Sequence, residues 1–90
     1  MNRLPVEIGS IVISKAGRDE GRMFLVVGEV DDDFVMVANG ALRKMDRQKK
    51  KRRKHLKPTG QVVRAVAQRL ADGRPIEDHE LRDWLSEEEE

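Results

Sequence analysis

The chain has 90 residues, of which 39% are charged and 38% are hydrophobic, and its formal net charge is +1. This length suits one small domain, and because there is no cysteine, disulfides and thiolate-bound metals are excluded. The longest apolar run, residues 23–27, is far shorter than the ~20 residues that cross a bilayer, and the first residues lack the apolar segment of a secretory signal. We therefore expect a cytoplasmic protein without a membrane partner.

The charge is strongly segregated along the chain. Residues 1–42 carry 4 basic and 7 acidic side chains, residues 43–57 carry 10 basic and 1 acidic, and residues 58–90 carry 4 basic and 9 acidic. A block with a net charge of +9 between two acidic segments is an electrostatic feature that indicates a polyanionic partner.

The first half of the sequence predicts short strands separated by turns. Apolar and β-branched runs predict strands at residues 10–15, 23–30 and 34–38. Two glycines bound a predicted turn at residues 17–21, and three aspartates at residues 31–33 predict a solvated turn. Asn39-Gly40 predicts a type I′ hairpin into a fourth strand at residues 41–45. Short strands at this spacing favour a small barrel over an open sheet with unpaired edges.

The second half predicts a loop, a closing strand and two helices. Residues 46–54 are almost wholly polar and are expected to form a solvated basic loop that adds nothing to the core, and residues 55–57 predict the closing strand. Thr59 is the expected N-cap of a helix over residues 61–71, with Gly73 just past its end. The predicted second helix begins at residue 77 or 78. This pattern divides the chain into a barrel at residues 1–60 and a helical extension with an acidic tail at residues 61–90.

An apolar stripe lies on the predicted second helix. Leu81, Trp84 and Leu85 fall on one side of it and are expected to pack against the barrel or the first helix. An exposed stripe that binds a partner is the alternative. The tail at residues 87–90 is expected to be frayed.

One stretch of the first half resembles the KOW motif, which is a strand, a glycine-bounded turn and a second strand. The residues that carry the resemblance are Gly9-x-x-Val12, Gly17-Arg18-Asp19-Glu20-Gly21-Arg22 and Val26. With the Asn-Gly pair and the basic run that follow, residues 7–60 resemble the KOW-bearing large-subunit ribosomal proteins of archaea and eukaryotes and their small bacterial relatives. The resemblance implies a mostly β fold, a small SH3-like barrel followed here by two short C-terminal α-helices, and a ribosomal or ribosome-associated role in translation within a ribonucleoprotein.

The basic block is the main functional signal. Adjacent cations repel one another, whereas binding to phosphates releases condensed counterions; a solvated, disordered charge run is the alternative. The block contains no aromatic residue and the chain has only three, so contacts are expected on phosphates and sugars rather than on stacked bases. The candidate RNA-binding residues are Arg18, Arg22, Arg43, Lys44, Arg47, Lys49, Lys50, Lys51, Arg52, Arg53, Lys54, His55 and Lys57.

No pattern in the sequence indicates catalysis, a cofactor or a metal. The turn glycines lack the spacing and the following Lys-Ser/Thr pair of a phosphate-binding P-loop, and His55 and His79 are too far apart to form a local metal pair. We expect a non-enzymatic protein that is monomeric when free and binds RNA, with ribosomal RNA as the expected target. The alternative is a KOW-type transcription or translation factor whose barrel acts as a protein adaptor on polymerase or ribosomal proteins.

Overall fold

The computed structural model describes the backbone of residues 6–88 and the side chains of residues 6–86. Within this range five strands form an antiparallel sheet in the order β4-β3-β2-β1-β5. The strands are β1 (Ser10–Ser14), β2 (Met23–Glu29), β3 (Phe34–Ala38), β4 (Lys49–Arg52) and β5 (Leu56–Val62), and the helices are α1 (Arg64–Ala71) and α2 (Asp78–Glu88).

The sheet curls into a barrel. Strands β4 and β5 stand at opposite ends of the strand order, yet only the 3₁₀ turn Arg53–His55 separates them along the chain. The two edges are therefore brought together. One face of the curled sheet forms the barrel interior, a cluster of buried side chains: Val12, Phe24, Val26, Val35, Val37 and Leu56. The predicted mostly β fold, a small SH3-like barrel with two helices near the C-terminus, is confirmed.

A second apolar layer lies on the outer face of the sheet. Because side chains alternate along a strand, Ile11 and Leu25 point away from the barrel interior. There they contact apolar residues of the helical segment, among them Val66, Leu81 and Leu85. Trp84 packs against the same cluster, so the apolar stripe on the second helix is a core contact, as its spacing predicts.

The glycine-bounded turn forms where the sequence predicts it. Gly17 and Gly21 have φ angles of +76° and +86°, in the left-handed region that side chains with a Cβ atom disfavour. The amide of Gly21 donates to the carbonyl oxygen of Ser14 at 2.8 Å, and the amide of Ser14 donates to that of Arg22 at 2.9 Å. These bonds return the chain directly from β1 into β2.

The strand predicted at residues 41–45 is wrong. The side-chain oxygen of Asn39 accepts hydrogen bonds from the amides of Ala41 (3.0 Å) and Arg43 (2.9 Å). This side-chain turn competes with a hairpin, and no residue other than glycine has a positive φ in the described part of the chain, so Asn39 does not form a type I′ turn. The partner strand of β3 begins only at Lys49.

The basic loop predicted at residues 46–54 is also wrong. Its central residues form β4, which pairs with β3 in the register Val35 opposite Lys51 and Val37 opposite Lys49. Polarity suggested a loop, but the edge of a sheet accepts a polar strand because its backbone bonds are satisfied by the neighbouring strand. Helical 3₁₀ turns, Met45–Arg47 and Arg53–His55, flank the strand.

The first helix begins later than predicted. Strand β5 continues to Val62, beyond the predicted boundary at residue 60, and the hydroxyl of Thr59 donates to the carbonyl oxygen of Ile11 at 2.9 Å instead of capping a helix. Val63 occupies the N-cap position. Gly73 follows α1 with a φ of +67°, as predicted. The division into two units stays a prediction, and the side chains of the acidic tail, residues 87–90, lie outside the described residues.

Candidate nucleic-acid interface

Side chains of the basic strand β4 alternate between two environments. Lys50 and Arg52 are exposed, whereas Lys51 is buried, with only 8% of its surface accessible. This alternation follows from the period of two along a strand. The register of β4 against β3 therefore directs Lys50 and Arg52 outward and Lys49 and Lys51 inward.

The inward lysines share one carboxylate of the glycine-bounded turn as their ion-pair partner. Oδ2 of Asp19 lies 3.0 Å from Nζ of Lys49 and 3.3 Å from Nζ of Lys51. Nζ of Lys51 also donates to the hydroxyl of Ser14 at 3.2 Å. The hydrogen bond from Lys49 lowers the pKa of Asp19 despite the opposing effect of burial. Two of the predicted RNA-binding lysines thus make internal ion pairs.

Arg53 is likewise committed to the fold. Its Nη2 atom contacts Oε2 of Glu29 at 2.9 Å and the carbonyl oxygen of Asp31 at 3.1 Å, and its Nη1 atom donates to the carbonyl oxygen of Val6. The side chain is only 25% exposed. Because one guanidinium joins the segment before β1 to the turn before β3, Arg53 is a structural clamp.

A basic groove of about 790 Å³ runs beside the junction of β4 and β5. Two carboxylates, Asp32 and Asp33, and apolar residues also line it. The five cations that line this basic groove are Lys15, Arg52, Arg53, Lys54 and Lys57.

Lys15 is a lining residue that the sequence does not single out. It follows β1 in an acidic part of the chain, and its backbone amide donates to the carbonyl oxygen of His55 at 2.8 Å. The pairing of β1 with β5 therefore carries this isolated lysine to the basic block. The sequence alone could not identify Lys15 as a groove residue, because its place in the groove depends on that long-range pairing.

An aromatic ring lies beside the outward cations of β4. Nζ of Lys50 is 4.7 Å from the ring centroid of Phe34, and Cζ of Arg52 is 4.9 Å from it. These distances are within the range of cation–π interactions. The basic block contains no aromatic residue, but the register that places Phe34 opposite Arg52 supplies one from β3.

The remaining predicted site residues do not join this surface. Arg22 lines a separate hollow of about 410 Å³ together with Arg82, whose guanidinium donates to the carbonyl oxygen of Gly40. The other predicted residues lie outside both hollows: Arg18, Lys44 and Arg47 are exposed, and Arg43 and His55 are half-buried. The thirteen predicted residues therefore do not form one continuous site.

Within residues 6–86 no group of three or more His, Asp or Glu side chains is placed to hold a metal ion. Across the part of the chain that the structure describes, neither helix has the length and apolar character needed to cross a membrane.

The fold is a small SH3-like barrel, and its glycine-bounded turn resembles the KOW motif. Over 59 residues the chain is 36% identical to the large ribosomal subunit protein eL14 of the archaeon Desulfurococcus amylolyticus. The matched segment covers 66% of this chain and 62% of that relative, so the chain spans less than two thirds of the relative's length. The predicted resemblance to KOW-bearing large-subunit ribosomal proteins is confirmed. No protein-family model matches the sequence.

Proposed function

We propose that this protein binds RNA without catalysis, through the basic groove beside β4 and β5. The observation that carries the proposal is that Lys15, from the end of β1, lines one groove together with Arg52, Lys54 and Lys57 of the basic block. Cations that converge in space bind a phosphate backbone more strongly than cations scattered over a surface, because the field in a cleft is focused.

The free charge of the groove supports this proposal. Among the described residues, the amino groups of Lys15, Lys54 and Lys57 belong to no ion pair, whereas Arg53 is held by Glu29. Unpaired ammonium groups gain the most from phosphate binding, since no internal partner has to be displaced.

The two carboxylates among the lining residues limit where phosphates can bind in the groove. Asp32 and Asp33 repel phosphates, so we expect the RNA backbone to contact Lys15, Lys54 and Lys57 and to avoid these two carboxylates. Lys44 and Arg47 are exposed but lie outside the groove, so they are not part of the proposed surface, and Lys49 and Lys51 are paired with Asp19 inside the fold.

The RNA we propose is ribosomal RNA. A relative that is 36% identical over 66% of this chain is by name a protein of the large ribosomal subunit, and phosphate-directed contacts suit a structured RNA whose shape is already set. The proposed setting is accordingly the ribosome in the cytoplasm, where neighbouring ribosomal proteins are additional partners.

The experiment compares two variants of equal charge. Lys54→Gln with Lys57→Gln removes two groove cations, and Arg64→Gln with Arg74→Gln removes two exposed cations from the helical segment. Binding to a structured RNA stem–loop is measured across a series of salt concentrations. For the groove variant, the slope of log affinity against log salt should decrease in magnitude by about 1.4 to 1.8, because each phosphate contact contributes about 0.7 to 0.9.

The control variant should keep the wild-type slope. Equal losses in both variants would mean that only net charge matters and would remove the groove from the proposal. If purified wild-type protein does not bind RNA when partner proteins are absent, RNA binding by the groove is refuted and the protein-adaptor role predicted as the alternative is favoured.

A further inference from the structure

We infer that Phe34 and Arg52 form a platform on which one unpaired RNA base stacks. This inference rests on the proposed RNA-binding function. The basic groove alone would bind phosphates of paired and unpaired nucleotides alike, whereas the platform would recognise an unpaired nucleotide. Stacking on an aromatic ring or a guanidinium plane is available to every base, since every base has a π-face.

The chain has two phenylalanines, and Phe34 differs from Phe24 in lying outside the apolar core. Phe24 is fully buried in the barrel interior, but Phe34 belongs to neither of the two apolar clusters and is half-buried at the start of β3. Its neighbours on the outer face are the exposed cations Lys50 and Arg52. Core packing therefore does not account for this aromatic side chain.

The backbone around Phe34 is well supported, as a stacking platform requires. The amide of Phe34 donates to Oδ1 of Asp31 at 2.9 Å, and its carbonyl oxygen accepts from the amide of Val30 at 3.1 Å. On the other side, Phe34 is paired across the ladder with Arg52. Because the backbone that carries the ring is already held by a turn and a neighbouring strand, a base can stack on the ring without ordering this segment first.

Arg52 connects the platform with the basic groove. Its guanidinium carbon is 4.9 Å from the ring of Phe34, and the same residue lines the groove with Lys54 and Lys57. A nucleotide whose phosphates lie along the groove can therefore place its base on the platform. Because stacking uses the π-face that every base has, the platform favours an unpaired base of any identity.

The test uses two matched RNA stem–loops. One carries a single bulged 2-aminopurine, and in the other the same residue is paired; stacking of 2-aminopurine on an aromatic group quenches its fluorescence. We expect the wild-type protein to bind the bulged RNA about tenfold more tightly than the paired RNA and to quench its fluorescence. Phe34→Leu, which keeps an apolar side chain but cannot stack, should lose both effects.

Two controls separate stacking from folding and from charge. Phe34→Tyr retains a ring and should keep the preference and the quenching, and both variants should bind the paired RNA with wild-type affinity and salt dependence. Equal wild-type affinity for the two RNAs, or an unchanged preference in Phe34→Leu, would overturn the platform while leaving groove binding intact. Failure of the wild-type protein to bind either RNA would overturn both proposals.

Discussion

Asp19 and Lys51 form an ion pair of 3.3 Å in which the side chains are only 11% and 9% exposed. Asp19 belongs to the glycine-bounded turn and Lys51 to the basic strand, which are remote in sequence. The pair therefore fixes the turn against β4, and it explains how a lysine is accommodated next to the barrel interior.

Asp19→Asn should lower the free energy of unfolding by about 2–3 kcal/mol, because it leaves the ammonium group of Lys51 buried without its counter-charge. Urea denaturation monitored by tryptophan fluorescence measures the loss. Adding Lys51→Met to this variant should recover most of the lost free energy of unfolding, since the buried charge is then removed. Losses that simply add would contradict the coupling of the two residues.

Arg53 and Lys54 are adjacent cations that should differ in their contribution to stability. Arg53→Ala removes hydrogen bonds to the segment before β1 and to the Asp31 turn and should cost about 2 kcal/mol. Lys54→Ala should change the free energy of unfolding by less than about 0.5 kcal/mol, because its side chain is exposed. The melting temperatures of the two variants are measured by thermal unfolding without RNA. Equal melting temperatures would show that Arg53 is not a structural clamp.

Two glycines with positive φ should tolerate substitution differently. At Gly21 a Cβ atom would meet nothing within 4 Å, so Gly21→Ala should cost only the backbone strain of about 1–2 kcal/mol. Gly21→Asn should cost less, because Asn tolerates this region, and Gly21→Val should cost more. At Gly40 a Cβ atom would lie 2.3 Å from the carbonyl oxygen of Asp78, so Gly40→Ala should destabilise further by displacing α2.

Circular dichroism melting curves rank these glycine variants. A melting temperature for Gly21→Val equal to that of wild type would mean that the turn does not require its left-handed backbone. Equal effects of alanine at positions 21 and 40 would mean that the close approach to Asp78 carries no cost.

The ion pair between the helices predicts a specific loss of stability in acid. Nη1 of Arg69 lies 2.8 Å from Oε1 of Glu80; this guanidinium, with the backbone amide of Glu77, lowers the pKa of Glu80 from 4.5 to about 2. Because the folded-state pKa is depressed, the stabilisation is fully present above the ordinary pKa of 4.5 and is lost as the pH falls towards 2.

Glu80→Gln provides the control for this pH dependence. The difference in the free energy of unfolding between wild type and Glu80→Gln should be constant above about pH 5 and should shrink between pH 4.5 and pH 2. Parallel curves over that range would show that Glu80 is not held as a carboxylate by Arg69 in the folded protein.

Local patterns determined much of the fold. Apolar and β-branched runs placed β1, β2 and β3, and the glycines at positions 17 and 21 placed the turn, because backbone conformation at these points depends on the residues themselves. Local patterns failed at β4, where pairing with β3 outweighed the polarity of residues 49–52. They failed again at Thr59, whose hydroxyl binds β1 across the sheet.

For the candidate interface, the sequence by itself determined that a dense block of cations exists and that it follows a KOW-type turn. Only the tertiary structure decided which of those cations are available to a ligand. Lysines at neighbouring positions are chemically alike, but strand alternation turns Lys51 towards Asp19 and Lys50 towards solvent. Pairing of β1 with β5 brings Lys15 to the groove, and the register of β4 against β3 brings Phe34 to Arg52. Such partners are distant in sequence, and the free energy of a charge depends on what surrounds it in space.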